Sequence, residues 1–253
     1  MLGLDFPPIN GVIRWQDIFP TFNKIALIAC LAALIGMTIY LLAGRKDPMV
    51  APRGVRNVAE IGVEFIEEQI VMQAIGREGL RWTPFLLTTF IFIYLCNVPG
   101  IIPPLYMPAT ARMALPLFLA LIVWVVYNVV GFRHNNYRYI TDMIWPRNVP
   151  VALRPLVGLI EFMSNIILRP FALAVRLFAN MLAGHMLLVT FALLTNALFF
   201  AATSKFVLRP MAVLPFFMLV FVTAFEVLVA FLQAYIFTIL AAVYIGLARE
   251  HAH

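Results

Sequence analysis

The chain has 253 residues, of which 63% are hydrophobic and only 12% charged, against roughly 25% charged in ordinary soluble domains. This excludes a soluble globular protein and marks a polytopic membrane protein. The net charge of +6 is no nucleic-acid footprint, because the basic residues sit in short loops between apolar runs.

Residues 1–24 carry no basic stretch followed by an apolar one, so no cleavable signal peptide is expected. Trp15 and Phe19 suit this N-terminal segment to the membrane interface. Residues 25–44 form a first span of ordinary length. From Arg45 to Arg81 the chain turns charged, with Arg45, Lys46, Arg53, Arg56, Arg77 and Arg81 around Glu60, Glu64, Glu67 and Glu68. Val58, Ile61, Phe65 and Val71–Met72 recur there at helical spacing, which predicts an amphipathic helix over 57–74 lying on the membrane surface. A soluble loop helix is the plainer alternative.

Residues 84–102 and 114–132 are predicted second and third spans. The loop between them is rich in proline and carries a single basic residue, Arg112. Residues 133–154 are basic again, through Arg133, Arg138, Arg147 and Arg154. Eleven Lys and Arg fall in the two basic loops and the C-terminus, against five in the N-terminus and the two remaining loops. The N-terminus is therefore expected outside and the C-terminus inside. Residues 155–203 and 210–248 are almost continuously apolar. The 38 residues from Met211 to Ala248 would measure about 57 Å as a helix, against a hydrocarbon core of about 30 Å. Either each run folds back on itself, or two long helices lie strongly tilted. All of this makes one membrane domain, 1–253.

The polar residues of the last hundred positions carry the chemistry. Arg176 lies in the middle of an apolar run, where a guanidinium costs roughly 2.5–3.5 kcal/mol on insertion scales and cannot escape by deprotonating. At 100° per residue, Asn165, Arg169, Arg176 and Asn180 fall on one helical face together with Ala172, Ala179 and Ala183. Glu161 begins that face, Pro170 is a possible kink, and His185 lies opposite Arg176. In the final run, Glu226, Gln233 and Tyr244 share a stripe. His185 or Glu226 alone reads as a satisfied core residue, and Arg176 alone as half of a structural ion pair. Two titratable groups beside one permanent cation suggest instead a proton path with an electrostatic barrier. Cys30 and Cys96 sit in apolar runs with no disulfide or metal spacing, and no phosphate-binding loop is present, so no metal or cofactor is expected.

The segment RPFALAVRLFANMLAGH (169–185) followed by FEVLVAFLQAYIFTILAAVYIGLA (225–248) resembles subunit a of the F-type ATP synthases. On that resemblance the family's intramembrane arginine falls on Arg176, its asparagine on Asn180 and its glutamine on Gln233, with a His/Glu pair at His185 and Glu226. Weaker similarity covers TPFLLTTFIFIYLCNVPGIIP (83–103), with Asn97 on a polar position, and the surface-helix region. Glu161 matches the family's acidic residue with an offset of about one helical position. Ala179 stands in place of the usual glycine, and the loop PATARMALP (108–116) lacks the usual acidic residue.

The resemblance implies an all-α membrane subunit with upright helices, a surface helix and two long tilted helices facing a rotor ring of small hairpin subunits. It implies proton translocation coupled to ATP synthesis, with no catalytic site of its own. The expected proton-translocating residues are Arg176, Asn180, His185, Glu226, Gln233, Glu161, Tyr244 and Asn165. Peripheral stalk subunit b, the rest of the complex and membrane lipid are the implied partners. The implied location is a bacterial plasma or inner membrane, or the mitochondrial inner membrane. A secondary transporter with an intramembrane charged site is the first rival, although such folds usually carry paired repeats and none is seen here. A membrane-embedded hydrolase is the second, and would need more converging His and Asp groups than this chain supplies.

Overall fold

A bilayer offers no water to bond backbone groups, so spanning segments must satisfy their own, and helices do this locally. The structure, a computed structural model, describes residues 17–19, 22–44, 54–102, 108–135, 139, 141, 144–145, 150, 153–200 and 213–250. Trp15, Arg45, Lys46, Arg53, Arg138, Arg147 and the turn expected after residue 203 lie outside these. The described chain is helical except for a short antiparallel ribbon, β1 (Asp17–Phe19) with β2 (Phe22–Asn23).

Helix α1 (Lys24–Gly44) follows the ribbon directly. Helix α2 (Val55–Ile66) continues through a π turn, Glu67–Val71, to Ala74. Gly76, at φ 81, turns the chain into a 3-10 segment, Arg77–Trp82. Helix α3 (Thr83–Asn97) starts with Pro84 in its first turn, where the missing N–H costs nothing. A 3-10 turn, Ala109–Ala111, precedes helix α4 (Ala114–Asn135). Helix α5 (Arg154–Met163) passes through a second π turn, Ser164–Leu168, into helix α6 (Arg169–Phe200). Helix α7 (Val213–Glu250) ends the described chain. Among the described residues, four stretches are long and apolar enough to cross a membrane: Arg77–Gly100, Ala114–His134, Arg154–Leu198 and Val213–Arg249. The chain is a multi-pass membrane protein whose described elements, apart from that short ribbon, are helices.

Helix α7 is the centre of the bundle and packs on α3, α4 and α6. Its buried residues include Ala230, Ala234, Ala241, Ala242 and Ala248. Such small side chains let neighbouring backbones approach, which drives helix association where lipid removes the hydrophobic incentive. The amphipathic segment is docked on this bundle. Ile66, Ile70 and Val71 are fully buried, whereas Val58 and Ile61 are 66% and 56% exposed. Ile66 belongs to the same α-helix as Val58 and Ile61, so the face that packs on the bundle is turned away from the stripe that Val58 and Ile61 begin. At the same end, Arg249 of α7 pairs with Glu78, and Gly246 meets the Ala74 carbonyl so closely that a Cβ would stand 2.8 Å from it.

Candidate functional site

Helix α6 has two unlike sides. Leu173, Ala174, Leu177, Met181, His185 and Leu188 are buried at intervals of one to four residues. Ala172, Arg176, Ala179, Asn180 and Ala183 are exposed. Arg176 thus projects from the molecule on a strip of small residues, and it forms no ion pair among the described residues.

The stripe on α7 meets α6 in three rungs. In the first, Gln233, 3% exposed, accepts a hydrogen bond from Asn180 Nδ2 at 2.9 Å and donates through Nε2 to the Arg176 carbonyl at 2.8 Å. Gln233 therefore fixes the backbone that carries the arginine, using both halves of its amide. In the second, Glu226, 3% exposed, lies against Gly184 so closely that a Cβ there would stand 3.1 Å from its Oε1. His185, the next residue, is also buried, at 6% exposed. Both Glu226 oxygens are buried without a hydrogen-bond partner among the described residues. In the third, the Arg169 guanidinium stands over the Tyr244 ring, 5.3 Å from its centroid, a cation–π distance.

The helix start departs from the expected alignment. Asn165 is buried, away from the exposed strip of Arg176 and Asn180, because the π turn between them adds a residue and rotates the phase by about 100°. The turn also has a local logic. The Arg169 N–H bonds back to the Ser164 carbonyl, five residues earlier. In that pattern the Asn165 carbonyl would await the N–H of residue 170, which is proline and has none. Tyr127 Oη and Trp124 Nε1 donate to that carbonyl instead, at 2.7 and 3.1 Å. The Asn165 side chain donates to Tyr139 Oη at 3.2 Å and accepts from Arg169 at 3.3 Å, and Tyr139 in turn donates to Asn128 at 3.3 Å. Burial pushes the Tyr139 phenol above its ordinary range, which keeps it protonated as a donor, and the Glu161 charge acts in the same direction. Glu161 is half-buried and belongs to this neighbourhood. Pro170 thus sits at a π turn that its neighbours stabilise, not at a break.

Away from α6, Asn97 at the end of α3 is fully buried and accepts from Thr110 at 2.6 Å, while its own Nδ2 finds no partner among the described residues. Neither Thr110 nor Gly184 was singled out by sequence. Thr110 has no periodic signal, and Gly184 shows itself only as a small residue beside a titratable one. Among the described residues no three His, Cys, Asp or Glu side chains gather as a metal site.

Fold and site together define a multi-pass membrane protein whose longest helices carry an outward-facing arginine beside a seam of buried polar groups. Residues 25–246 match the family model described as ATP synthase A chain. The chain is 42% identical over 231 residues to ATP synthase subunit a of Frankia alni, covering 90% of this chain and 78% of the relative. It is 39% identical over 229 residues to that of Rhodococcus erythropolis, covering 89% and 82%. Against the Nocardioides sp. protein of the same name, the identity is 35% over 258 residues, covering 98% and 91%. The chain belongs to the ATP synthase subunit a family, and is a component of that complex.

Proposed function

We propose that this chain is the stator of the membrane sector, forming two proton half-channels separated by Arg176 and coupling proton flow to ATP synthesis. The observation that carries this reading is the exposure of Arg176 on a strip of alanines. A permanent cation on the outer side of a membrane helix is costly against lipid. Small residues around it suit the close approach of another helix, and the charge suits a partner bearing a carboxylate. A ring of rotor hairpins supplies both. Away from Arg176, a rotor carboxylate in the apolar wall is held protonated; beside the guanidinium its ionised form is favoured and the proton leaves. Arg176 keeps its own charge throughout and so blocks a direct leak between the half-channels.

In this reading α5–α6 and α7 lie tilted across the membrane, because α7 alone has 38 residues, about 57 Å. His185 and Glu226 line one half-channel, with Asn97 near its path. Gln233 and Asn180 hold Arg176 in register, and Glu161, Asn165 and Tyr244 border the other half-channel. The subunit carries no catalytic site. It works with the rotor ring, peripheral stalk subunit b and the catalytic sector, in an energy-transducing membrane. Each charge crossing is driven by about 2.3 kcal/mol per 100 mV.

Arg176→Ala tests this in inverted membrane vesicles. The complex should assemble while ATP-driven proton pumping and proton-driven ATP synthesis are lost. Arg176→Lys should also fail, because an ammonium differs in reach and loses its proton more readily when desolvated. Full pumping by either variant would overturn the proposal.

A further inference from the structure

We propose that a groove between the 3-10 segment Arg77–Trp82 and the end of α4 binds an anionic phospholipid from the leaflet on the basic side of the membrane. The groove encloses about 620 Å³, within the roughly 300–1,000 Å³ of small-molecule sites. Its wall is a run of valines on α4, of which Val125 and Val129 are 49% and 48% exposed and Val130 is buried. Its rim holds Arg81, Trp82, Arg133 and His134. The two halves come from chain segments that sequence alone places at the same membrane side, just before one span and just after another.

Each part matches one part of a lipid. The valine wall runs about 12 Å along α4, from Val125 to Arg133, and suits acyl chains, not water. At the rim, Arg81 and Arg133 are exposed and form no ion pair among the described residues. Arg81 lies over the Trp82 ring at 6.0 Å, which turns both side chains to one place. Trp82 Nε1–H is buried with no acceptor among the described residues, and a buried donor in that state calls for one. No carboxylate lines the groove among the described residues, and nearby Glu78 is taken by Arg249. Two guanidiniums, an imidazole and the Trp82 indole therefore border an apolar slot with no carboxylate among its described lining residues. A phosphodiester on two chains fits that charge and shape, as basic pockets between membrane helices do elsewhere. A zwitterionic lipid would bring its own cation into this cationic rim.

The test uses the assembled complex in liposomes doped with a diazirine-bearing phosphatidylglycerol or, in a parallel arm, the matching phosphatidylcholine. Peptide mass spectrometry then maps the crosslinks. The phosphatidylglycerol probe should label residues 125–134 at least five-fold more than the phosphatidylcholine probe. Arg81→Gln with Arg133→Gln should lower that labelling about five-fold for each arginine removed, whereas Arg77→Gln, outside the groove, should leave it unchanged. Trp82→Phe, which removes the indole donor and part of the ring under Arg81, covers the case in which the double variant fails to assemble, and should also lower it. Equal labelling by the two lipids would overturn the proposal. So would labelling indifferent to Arg81, Arg133 and Trp82, or capture of another subunit by a photoreactive residue at Val129.

Discussion

Helix α6 runs past two buried polar clusters that are bonded to very different degrees. At its start, the Asn165 carbonyl takes two side-chain donors and the Asn165 amide bridges Tyr139 and Arg169. Farther along, Glu226 is equally buried, yet both carboxylate oxygens lack a partner among the described residues. A satisfied network rigidifies; an unsatisfied buried carboxylate costs stability and persists where water or protons use it. In the proposed reading, the first cluster is the rigid, structural border of its half-channel, and the second is where protons move. On α6, Arg176 lies between Asn165 and the segment facing Glu226, its backbone held from α7 by Gln233.

Breaking the transport side should have the largest effect. Glu226→Leu should cut passive proton conduction through the stripped membrane sector by about tenfold or more, about 1.4 kcal/mol in barrier per tenfold. Proton uptake into potassium-loaded vesicles measures it, and unchanged conduction would place Glu226 with the structural cluster. Gln233→Leu strikes between the clusters. It removes both bonds to the Arg176 segment, so ATP-driven pumping should fall several-fold with the complex intact, and normal pumping would show the arginine needs no brace. Gly184→Ala is gentler, since the new methyl would stand 3.1 Å from Glu226 Oε1 and the carboxylate must shift by a few tenths of an ångström. Conduction should fall two- to five-fold, roughly 0.4–1 kcal/mol in barrier, without loss of assembly. On the structural side, Tyr127→Phe removes one donor to the Asn165 carbonyl. It should cost about 0.6–1.7 kcal/mol, read as a lower thermal midpoint of the detergent-solubilised complex, and leave pumping intact.

Much of the placement of Arg176, His185 and the α7 stripe was legible in the sequence. A helical period puts His185 opposite Arg176, and the structure buries one and exposes the other. The stripe of Glu226, Gln233 and Tyr244 survives because α7 is an uninterrupted α-helix, so 100° per residue holds over its whole length. The same arithmetic misplaced Asn165, since one π turn intervenes and no single residue announces it. Pro170 marked the spot, but only the helix geometry shows that a proline at the i+5 position frees the Asn165 carbonyl for Trp124 and Tyr127. Tyr139, Asn128 and Thr110 escaped because long-range polar partners leave no periodic trace.

The central claim is that His185 and Glu226 form a shared proton site, and a double-mutant cycle on the two tests it most directly. Passive proton conduction is measured for His185→Glu, Glu226→His and the exchanged pair in otherwise identical membrane sectors. Two titratable groups that share one site act as a unit. Each single variant should therefore lose most conduction, and the exchange should regain part of it, giving a coupling well outside simple additivity. Two independent, additive losses would contradict the account and leave His185 and Glu226 as separately buried core residues.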